Sequence, residues 1–239
     1  MNVMVLGPAG CGKSLLTEKF GAYLEKEGYS VRYINLDPAC LSVSYRCSFD
    51  IRERVTVEKI MKEEKLGPNG AMIRAMEKLG HIEIPIYDED FVLIDTPGQL
   101  EIFSFHECGP KIVNQFKELV GVFILDASVG VEDLPAMYMY SLATTYRLGI
   151  NAINIVNKAD LLDKKEIKSM QNFLSNPVRF KDIVEVKGVL LDIYSPISEL
   201  LQKVLPAQRI PFISAKTGKG FDELLDLLYE IRCSCGDLT

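Results

Sequence analysis

The stretch "GPAGCGKS" at residues 7–14 decides the fold of this chain. It follows a short apolar run and fits the pattern G-x-x-x-x-G-K-[ST], in which backbone N–H groups of a glycine-rich loop hold phosphates at a helix N-terminus. In such a loop Lys13 reaches the β- and γ-phosphates, and the Ser14 hydroxyl binds Mg²⁺. A plain glycine turn needs no Lys-Ser pair here, so the sequence predicts a nucleotide site. The loop residues assigned to the nucleotide are Gly7, Pro8, Ala9, Gly10, Cys11, Gly12, Lys13, Ser14 and Leu15.

Short apolar runs alternate with longer helical patterns along the chain. The runs lie at 2–6, 31–36, 91–95, 121–126, 151–157 and 210–214. The helical patterns lie at about 13–27, 56–65, 70–79, 109–118, 133–148, 163–174, 189–203 and 220–231. Because most runs are almost wholly apolar, they are typical of strands covered on both faces of a parallel sheet. We predict an α/β fold with a doubly wound, mostly parallel sheet.

Two segments interrupt this alternation, residues 40–88 and residues 163–206. The sequence contains no internal repeat and no linker rich in proline, glycine or serine. We therefore predict a single P-loop domain over residues 1–239, with these two segments as helical insertions.

The composition of the 239 residues excludes several classes of protein. Hydrophobic residues make up 48% of the chain, which is enough for a packed core and too much for a disordered protein. The formal charge of −6 argues against a nucleic-acid partner, since such partners favour a basic face. No apolar stretch approaches the roughly 18 residues of a membrane span, and no targeting segment precedes the first strand. We expect a cytoplasmic protein with free thiols, and any role of Cys233 and Cys235 stays open.

A second motif, "FVLIDTPGQLE" at 91–101, contains the third apolar run. Asp95 stands at the tip of a predicted buried strand, where a carboxylate holds Mg²⁺ directly or through water. The Gly98 N–H could approach a γ-phosphate. Gln99 and Glu101 are candidates to orient or deprotonate the attacking water, and the sequence leaves open which of them does so.

The motif "NKAD" at 157–160 predicts the base of the nucleotide. The Asp160 carboxylate can accept from N1–H and from the N2 amino group of guanine, whereas adenine would leave it unpaired. Two hydrogen bonds to a charged group, at roughly 1.5–3 kcal/mol each, support discrimination of about 10⁴. The motif "SAK" at 214–216 follows the next apolar run. We predict GTP and GDP as ligands of Asn157, Lys158, Asp160, Ser214, Ala215 and Lys216.

Together these motifs resemble those of the GPN-loop GTPases, a family of dimeric P-loop GTPases. The matching stretches, in the family's order, are "GPAGCGKS", "NLDPA" (35–39), "DIRE" (50–53), "GPN" (67–69), "DTPGQLE" (95–101), "NKAD" and "SAK". A single helix between the phosphate loop and "NLDPA" is similar to the dimerising, SIMIBI-like branch of P-loop NTPases. The segment "CLSVSYR" carries no recognisable motif. The chain stops soon after its last helix, which resembles a short, archaeal-type member.

The resemblance implies further site residues. Asp37 would lie near the Mg²⁺ and the attacking water, although "DP" is also an ordinary exit from a strand. The implied metal ligands are Ser14, Asp37 and Asp95. The implied catalytic residues are Lys13, Asp37, Asn69, Gln99 and Glu101.

The family also implies a homodimer that acts as a nucleotide-controlled switch or assembly factor. In such a dimer the loop of Gly67, Pro68 and Asn69 reaches the active site of the partner and adds a donor beside the γ-phosphate. The protein client is not identified by any stretch of the sequence.

The stretch "KLGPNGA" at 65–71 has a purely local interpretation as well. Gly67 would end one helix, Pro68 would block its continuation, and Asn69 would cap a helix that begins at Gly70. The two interpretations are compatible, because the amide oxygen can cap a helix while the amide nitrogen donates to a phosphate.

Two other functions fit parts of the sequence. A P-loop kinase for a small molecule shares the phosphate loop, but it lacks a guanine-reading aspartate. A metallochaperone G protein could use His81, His106 and Cys108. Residues two apart do not share a helix face, however, and no Cys/His cluster of metal spacing is present in the sequence.

Overall fold

The computed structural model describes residues 1–178, 189–205 and 208–236. One sheet contains the strands β1 (Asn2–Leu6), β2 (Val31–Asn35), β3 (Phe49–Asp50), β4 (Phe91–Asp95), β5 (Leu119–Asp126) and β6 (Asn151–Asn157). Their order is β3-β2-β4-β1-β5-β6, and every neighbouring pair is parallel. The predicted α/β fold with a parallel sheet is confirmed.

Helices cover both faces of this sheet. They are α1 (Lys13–Lys26), α2 (Val57–Glu64), α3 (Pro68–Leu79), α4 (Leu100–Phe105), α5 (Cys108–Val113), α6 (Leu134–Leu148), α7 (Lys164–Ser175), α8 (Val189–Val204) and α9 (Phe221–Gly236). Short 3₁₀ turns follow β3, β5 and β6. The arrangement is doubly wound, as the alternation of strands and helices predicts.

The central strand β1 shows why the predicted strands are apolar throughout. Val3 and Val5 point into an apolar cluster formed with α1 and α9. Met4 and Leu6 point into a second cluster on the opposite face, to which α2 to α8 contribute. Each fully buried side chain of this kind contributes about 1.5–3 kcal/mol. Because both faces are covered, we expect a ligand at the carboxyl ends of the strands, where open α/β sheets bind theirs.

The last predicted strand, at 210–214, is reduced to one bridge between Val156 and Phe212. The Val156 N–H donates to the Pro211 carbonyl at 2.9 Å, and its carbonyl accepts from the Ile213 N–H at 2.8 Å. Pro211 has no N–H with which to extend the ladder. The segment therefore lines β6 without continuing as a regular strand.

Some short elements do not follow from the sequence pattern. α4 has six residues and β3 has two, which is too short for a helical or strand period to be recognised. The helix predicted at 109–118 ends at Val113. Beyond it, the Gln115 side chain bonds to the backbone of Ile82 and Ile84, which holds the chain outside the helix.

The turn between α2 and α3 contradicts the local interpretation of "GPNG". Lys65 ends α2 in the left-handed conformation with φ of 52°, and Gly67 is the N-cap of α3. Pro68 is the first helical residue, where its fixed φ fits and its missing N–H costs nothing. The prediction that Gly67 ends the first helix and Asn69 caps the second is therefore wrong. Asn69 lies in the first turn of α3 with an exposed side chain.

Both predicted insertions contain helices that pack on the main core. The first contains β3, α2 and α3, and the second contains α7 and α8. Ile60 of the first and Phe173 of the second belong to the same apolar cluster as Leu6 of β1. Residues 179–188 of the second insertion lie outside the described part of the chain.

Candidate functional site

The phosphate loop joins β1 to α1 at the carboxyl edge of the sheet. Its glycines adopt backbone conformations that other residues rarely take, with φ of 147° at Gly7, 78° at Gly10 and 98° at Gly12. Gly12 is also the N-cap of α1, and a Cβ at this position would lie 2.8 Å from Asn157 Nδ2. The loop thus brings the positive N-terminal end of a 14-residue helix to the site.

Lys13 is folded over this loop and is only 6% exposed. Its Nζ donates to the Gly7 carbonyl at 2.8 Å and to the Pro8 carbonyl at 3.1 Å. Neither carbonyl is charged, and an ammonium group has three donors. A buried cation held by neutral partners favours an anion beside it, as a phosphate would be.

Asp95 ends β4 and is 1% exposed. Its Oδ2 accepts a hydrogen bond from the Tyr45 hydroxyl at 2.9 Å, whereas its Oδ1 accepts none from the described residues. Burial raises the pKa of this carboxyl to about 6, against the opposing effect of the Ser14 and Tyr45 hydroxyls and the Lys13 ammonium. A buried carboxylate oxygen without a donor, with a serine hydroxyl nearby, fits Mg²⁺, which takes oxygen ligands.

Asp37 lies beside the motif that follows β4. Its Oδ1 accepts from the Ala39 N–H and its Oδ2 from the Gly98 N–H, both at 2.9 Å. The backbone N–H of Asp37 itself donates to the Asn35 side chain at 3.0 Å. The structure therefore brings Asp37 and Gly98 together, and the N–H that the sequence assigns to the γ-phosphate is bonded to a carboxylate.

Gln99 and Glu101 stand at the start of α4. Gln99 is the N-cap and is half-buried, and Glu101 is exposed in the first turn. Glu101 Oε2 accepts from the Tyr140 hydroxyl of α6 at 3.4 Å. Gln99 is thus adjacent in sequence to the Asp37–Gly98 contact, whereas Glu101 is directed to a neighbouring helix.

Asn157 connects the phosphate loop to the "SAK" segment. It is 1% exposed, its Nδ2 donates to the Cys11 carbonyl at 2.9 Å, and its Oδ1 accepts from the Ala215 N–H at 3.0 Å. Both polar ends of one buried side chain are used, so the two segments are held in a fixed relation.

The other residues of "NKAD" lie around this connection. Asp160 is exposed, and its Oδ1 accepts from the Ser214 hydroxyl at 2.6 Å. Lys158 adopts the left-handed conformation with φ of 67°, and its Nζ pairs with Asp126 Oδ2 at 2.6 Å. Asp126 is a neighbour of the site that none of the sequence motifs contains. It ends a buried strand as Asp95 does, and this position at a strand end could have identified it from the sequence.

Several predicted ligand residues face solvent at this edge of the sheet, as an open nucleotide site requires. They are Ala9, Gly10, Ser14, Leu15 and Lys216. Tyr45 and Tyr140, in contrast, contact predicted site residues and carry no sequence signal, because each lies far along the chain from its partner.

The GPN loop is separate from these contacts. Gly67, Pro68 and Asn69 are all exposed, and no hydrogen bond joins the Asn69 side chain to the described residues. The structure of one chain therefore does not join Asn69 to the phosphate loop through a hydrogen bond.

The residues considered for metal delivery have other partners. His106 Nδ1 accepts from the Cys108 N–H at 3.2 Å, and Cys108 is buried against Met76. Among the residues that the structure describes, no group of three or more His, Cys, Asp or Glu side chains is arranged to hold a metal ion. The side chains of Cys233 and Cys235 lie outside the described set.

Comparisons with known proteins relate the whole chain to P-loop proteins. A family model described as a conserved hypothetical ATP-binding protein matches residues 5–234. The chain is 38% identical, over an alignment of 253 positions, to GPN-loop GTPase PAB0955 of Pyrococcus abyssi, with 100% of both sequences covered. It is 30% identical over 227 residues to GPN-loop GTPase 3 of Xenopus tropicalis, covering 81% of this chain and 78% of that one.

A solved structure shows the same fold. The crystal structure of the Pyrococcus abyssi GTPase PAB0955 in its apo form superposes with a TM-score of 0.83 at 34% identity, and 98% of each chain is covered.

Within the described residues, every helix is too short or too polar to cross a membrane.

Proposed function

The chain belongs to the GPN-loop GTPase family and is a GTPase, and from this premise we propose how it binds GTP and hydrolyses it to GDP and phosphate. The observation that carries the proposal is the buried Asn157 side chain, which bonds to the phosphate loop and to the "SAK" segment. The segments for the phosphates and for the base are thus held together before any nucleotide arrives. Such preorganisation lowers the entropy that binding must overcome.

We propose guanine rather than adenine as the base, although the matching family model is described as ATP-binding. The exposed Asp160 carboxylate bonds to Ser214 through Oδ1, and a carboxylate has about four acceptor sites. It can therefore accept from N1–H and the N2 amino group of guanine. Adenine offers neither donor in that arrangement.

Ser14, Asp37 and Asp95 are proposed to hold Mg²⁺. The unpaired Oδ1 of Asp95 supports this assignment, since a buried acceptor without a donor costs free energy unless a ligand satisfies it. When bound, the ion would neutralise charge on the β- and γ-phosphates. Lys13 would add a second positive charge beside the same oxygens.

Asp37 and Gln99 are proposed to position the attacking water. The Gly98 N–H donates either to Asp37 or to a γ-phosphate, so GTP would release the Asp37 carboxylate from this contact. Gln99 is the next residue, and although it is the N-cap of α4 its side chain makes no capping hydrogen bond. Glu101 takes a supporting part, because Tyr140 directs its carboxylate to α6.

We further propose a homodimer in which Asn69 reaches the active site of the partner. The exposed side chain has no partner in its own described chain, and Pro68 stiffens the loop that carries it. Nucleotide state would then control how two copies contact a protein client in the cytoplasm. The whole chain would act as one domain, since both insertions share its core. Delivery of a metal ion is not proposed, since no observation favours it.

The base assignment is tested by changing Asp160→Asn. An amide can donate to a ring carbonyl where a carboxylate cannot, so the variant should prefer xanthosine triphosphate, which has a carbonyl in place of the N2 amino group. We expect GTP affinity to fall by about 100-fold or more and xanthosine triphosphate to bind more tightly than GTP. Displacement of a fluorescent nucleotide measures both.

The matched control is Asp163→Asn, three residues further on. Asp163 caps α7, and asparagine caps helices about equally well, so all affinities should stay as in the wild type. Wild-type protein that binds ATP as tightly as GTP would overturn the assignment.

A further inference from the structure

The segment "CLSVSYR", which carries no family motif, places one tyrosine at the nucleotide site. Tyr45 is 9% exposed, and its hydroxyl donates to Asp95 Oδ2 at 2.9 Å. The two residues are 50 positions apart. The other carboxylate oxygen, Asp95 Oδ1, has no hydrogen-bond partner among the described residues.

The aromatic ring of Tyr45 is held by packing against a second tyrosine. It stacks on Tyr33 with a centroid distance of 5.3 Å and an angle of 25° between the rings. The Tyr33 hydroxyl donates to Glu25 of α1 at 3.0 Å. Gly21 makes room for this pair, because a Cβ there would lie 2.4 Å from the Tyr33 ring. The Tyr45 hydroxyl is therefore fixed by packing before any ligand binds.

The loop that carries this segment also holds another site residue. Asp37, which bonds to Gly98, lies eight positions before Tyr45 in the loop after β2, so this loop contacts β4 at Asp95 and the turn after β4 at Gly98. The loop after β2 thus supplies the hydrogen bond to Asp95 Oδ2, and Asp95 Oδ1 has no hydrogen-bond partner among the described residues.

We propose that Tyr45 is a positioning residue for the metal site: its hydroxyl fixes the Asp95 carboxylate so that Oδ1 alone is offered to the Mg²⁺ of a bound nucleotide. This inference rests on the proposed Mg²⁺ site of Ser14, Asp37 and Asp95. Without the hydroxyl the carboxylate would lose the hydrogen bond to Oδ2 and could rotate. The consequence is weaker Mg²⁺ binding, not weaker binding of the nucleotide itself.

The test is Tyr45→Phe, which keeps the ring on Tyr33 and removes one oxygen. Fluorescent GDP bound to the protein is titrated with Mg²⁺, and nucleotide affinity is measured separately in excess EDTA. We expect the Mg²⁺ midpoint to rise about tenfold, since hydrogen bonds to charged groups are among the stronger ones. Affinity for GDP in EDTA should stay within about threefold of the wild type, because the Tyr45 hydroxyl bonds to Asp95, which is proposed to hold the metal and not the nucleotide.

The matched control is Tyr33→Phe. It removes a hydroxyl from the other ring of the same stack and loses a bond to Glu25 outside the site, so its Mg²⁺ midpoint should equal that of the wild type. In a background of Asp95→Asn, Tyr45→Phe should cause no further shift, because the residue through which it acts has changed.

Three results would overturn the inference. They are an unchanged Mg²⁺ midpoint in Tyr45→Phe, an equal loss of GDP affinity in EDTA, and an unfolded Tyr45→Phe protein, since the hydroxyl is given no role in the fold. If instead the wild type bound GDP without any dependence on Mg²⁺, or bound no GDP, the proposed function would fail and not this assignment alone.

Discussion

The nucleotide site has two halves that are built differently. In the binding half, made of residues 7–14, 157–160 and 214–216, hydrogen bonds join segments that are distant in sequence. The Asn157 side chain bonds both to the first of these segments and to the last. This half is connected within one chain.

The half proposed for hydrolysis, made of residues 37–39, 67–69 and 95–101, is connected only in part. The Gly98 N–H joins the last of these segments to the first through Asp37, whereas the Asn69 side chain faces solvent. The difference teaches that, in the proposed site, hydrogen bonds within one chain join all the segments assigned to binding but leave the GPN loop unconnected. Changes in the binding half should therefore lower affinity, and changes in the hydrolysis half should lower turnover at constant affinity.

The largest effect is expected for Lys13→Ala in the binding half. Loss of one partner of a buried charge pair costs about 2–5 kcal/mol, so affinity for GTP should fall by about 1000-fold. Equilibrium titration with fluorescent GTP measures this. The control is Lys19→Ala, which removes an exposed lysine from the same helix. Lys19 forms a surface salt bridge with Glu18, so its loss should leave the affinity for GTP unchanged. An affinity of Lys13→Ala within threefold of the wild type would refute the phosphate assignment.

The second effect separates the two halves. Asn69→Asp should lower kcat by about 100-fold, as loss of a donor to a charged transition state does, while affinity for GTP stays within threefold. An acidic residue in the first turn of α3 is favourable, so the melting temperature should not fall. Steady-state kinetics and thermal denaturation measure these outcomes. Full activity would leave Asn69 without a role at the site.

Mixing two variants sharpens the same comparison. In the proposed dimer, Asn69→Asp and Lys13→Ala protomers would form heterodimers with one site in which Lys13 and the incoming Asn69 are both wild type. If the loop acts on the partner, activity returns in part once subunits exchange. Activity that stays absent, with exchange demonstrated by mass spectrometry, would place the loop on its own chain.

A third, smaller effect should break the connection in the binding half. Asn157→Ala removes two buried hydrogen bonds at about 1 kcal/mol each, so stability should fall by about 2 kcal/mol and GTP affinity by about tenfold. Asn154→Ala is the control on the same strand, because Asn154 is also buried with two side-chain partners but lies away from the site. Urea unfolding should show similar losses for both, and only Asn157→Ala should lose affinity.

The smallest effect is expected for Glu101→Gln. The hydroxyl of Tyr140 lies 3.4 Å from Glu101 Oε2, a long contact with a group that is exposed, so kcat should fall by no more than about threefold. In Tyr140→Phe, kcat should also fall by no more than about threefold. A loss in Glu101→Gln as large as that of Asn69→Asp would make Glu101 the residue that activates the water.

The sequence predicts the local structure of the phosphate loop well, and the reason is physical. A phosphate loop needs glycines at left-handed positions and a lysine at a fixed spacing, so "GPAGCGKS" contains both the local structure and its chemistry. The strands β1, β4 and β6 agree with the predicted runs because a buried parallel strand is apolar on both faces. Elements without such a period, such as α4, are missed.

Other parts of the site depend on contacts that a local pattern does not contain. The cap of α3 is assigned to Asn69 because asparagine is a common cap, but Pro68 prefers the first helical position and moves the cap to Gly67. Tyr45 finds Asp95 only after β2 and β4 have paired. The role proposed for Tyr45 depends on tertiary packing, which no spacing in the sequence predicts.

The central position of β1 has a consequence for synthesis of the chain. Asn2 is paired with Val92 on one side and with Leu119 on the other. At about 5–20 residues per second, this strand therefore waits on the order of ten seconds on the ribosome before both neighbours exist. During that time an apolar strand has two unsatisfied edges, which favours protection by a chaperone. The Asn157–Ala215 bond can form only later still, so the link between β6 and the "SAK" segment is among the last contacts of the sheet edge to be made.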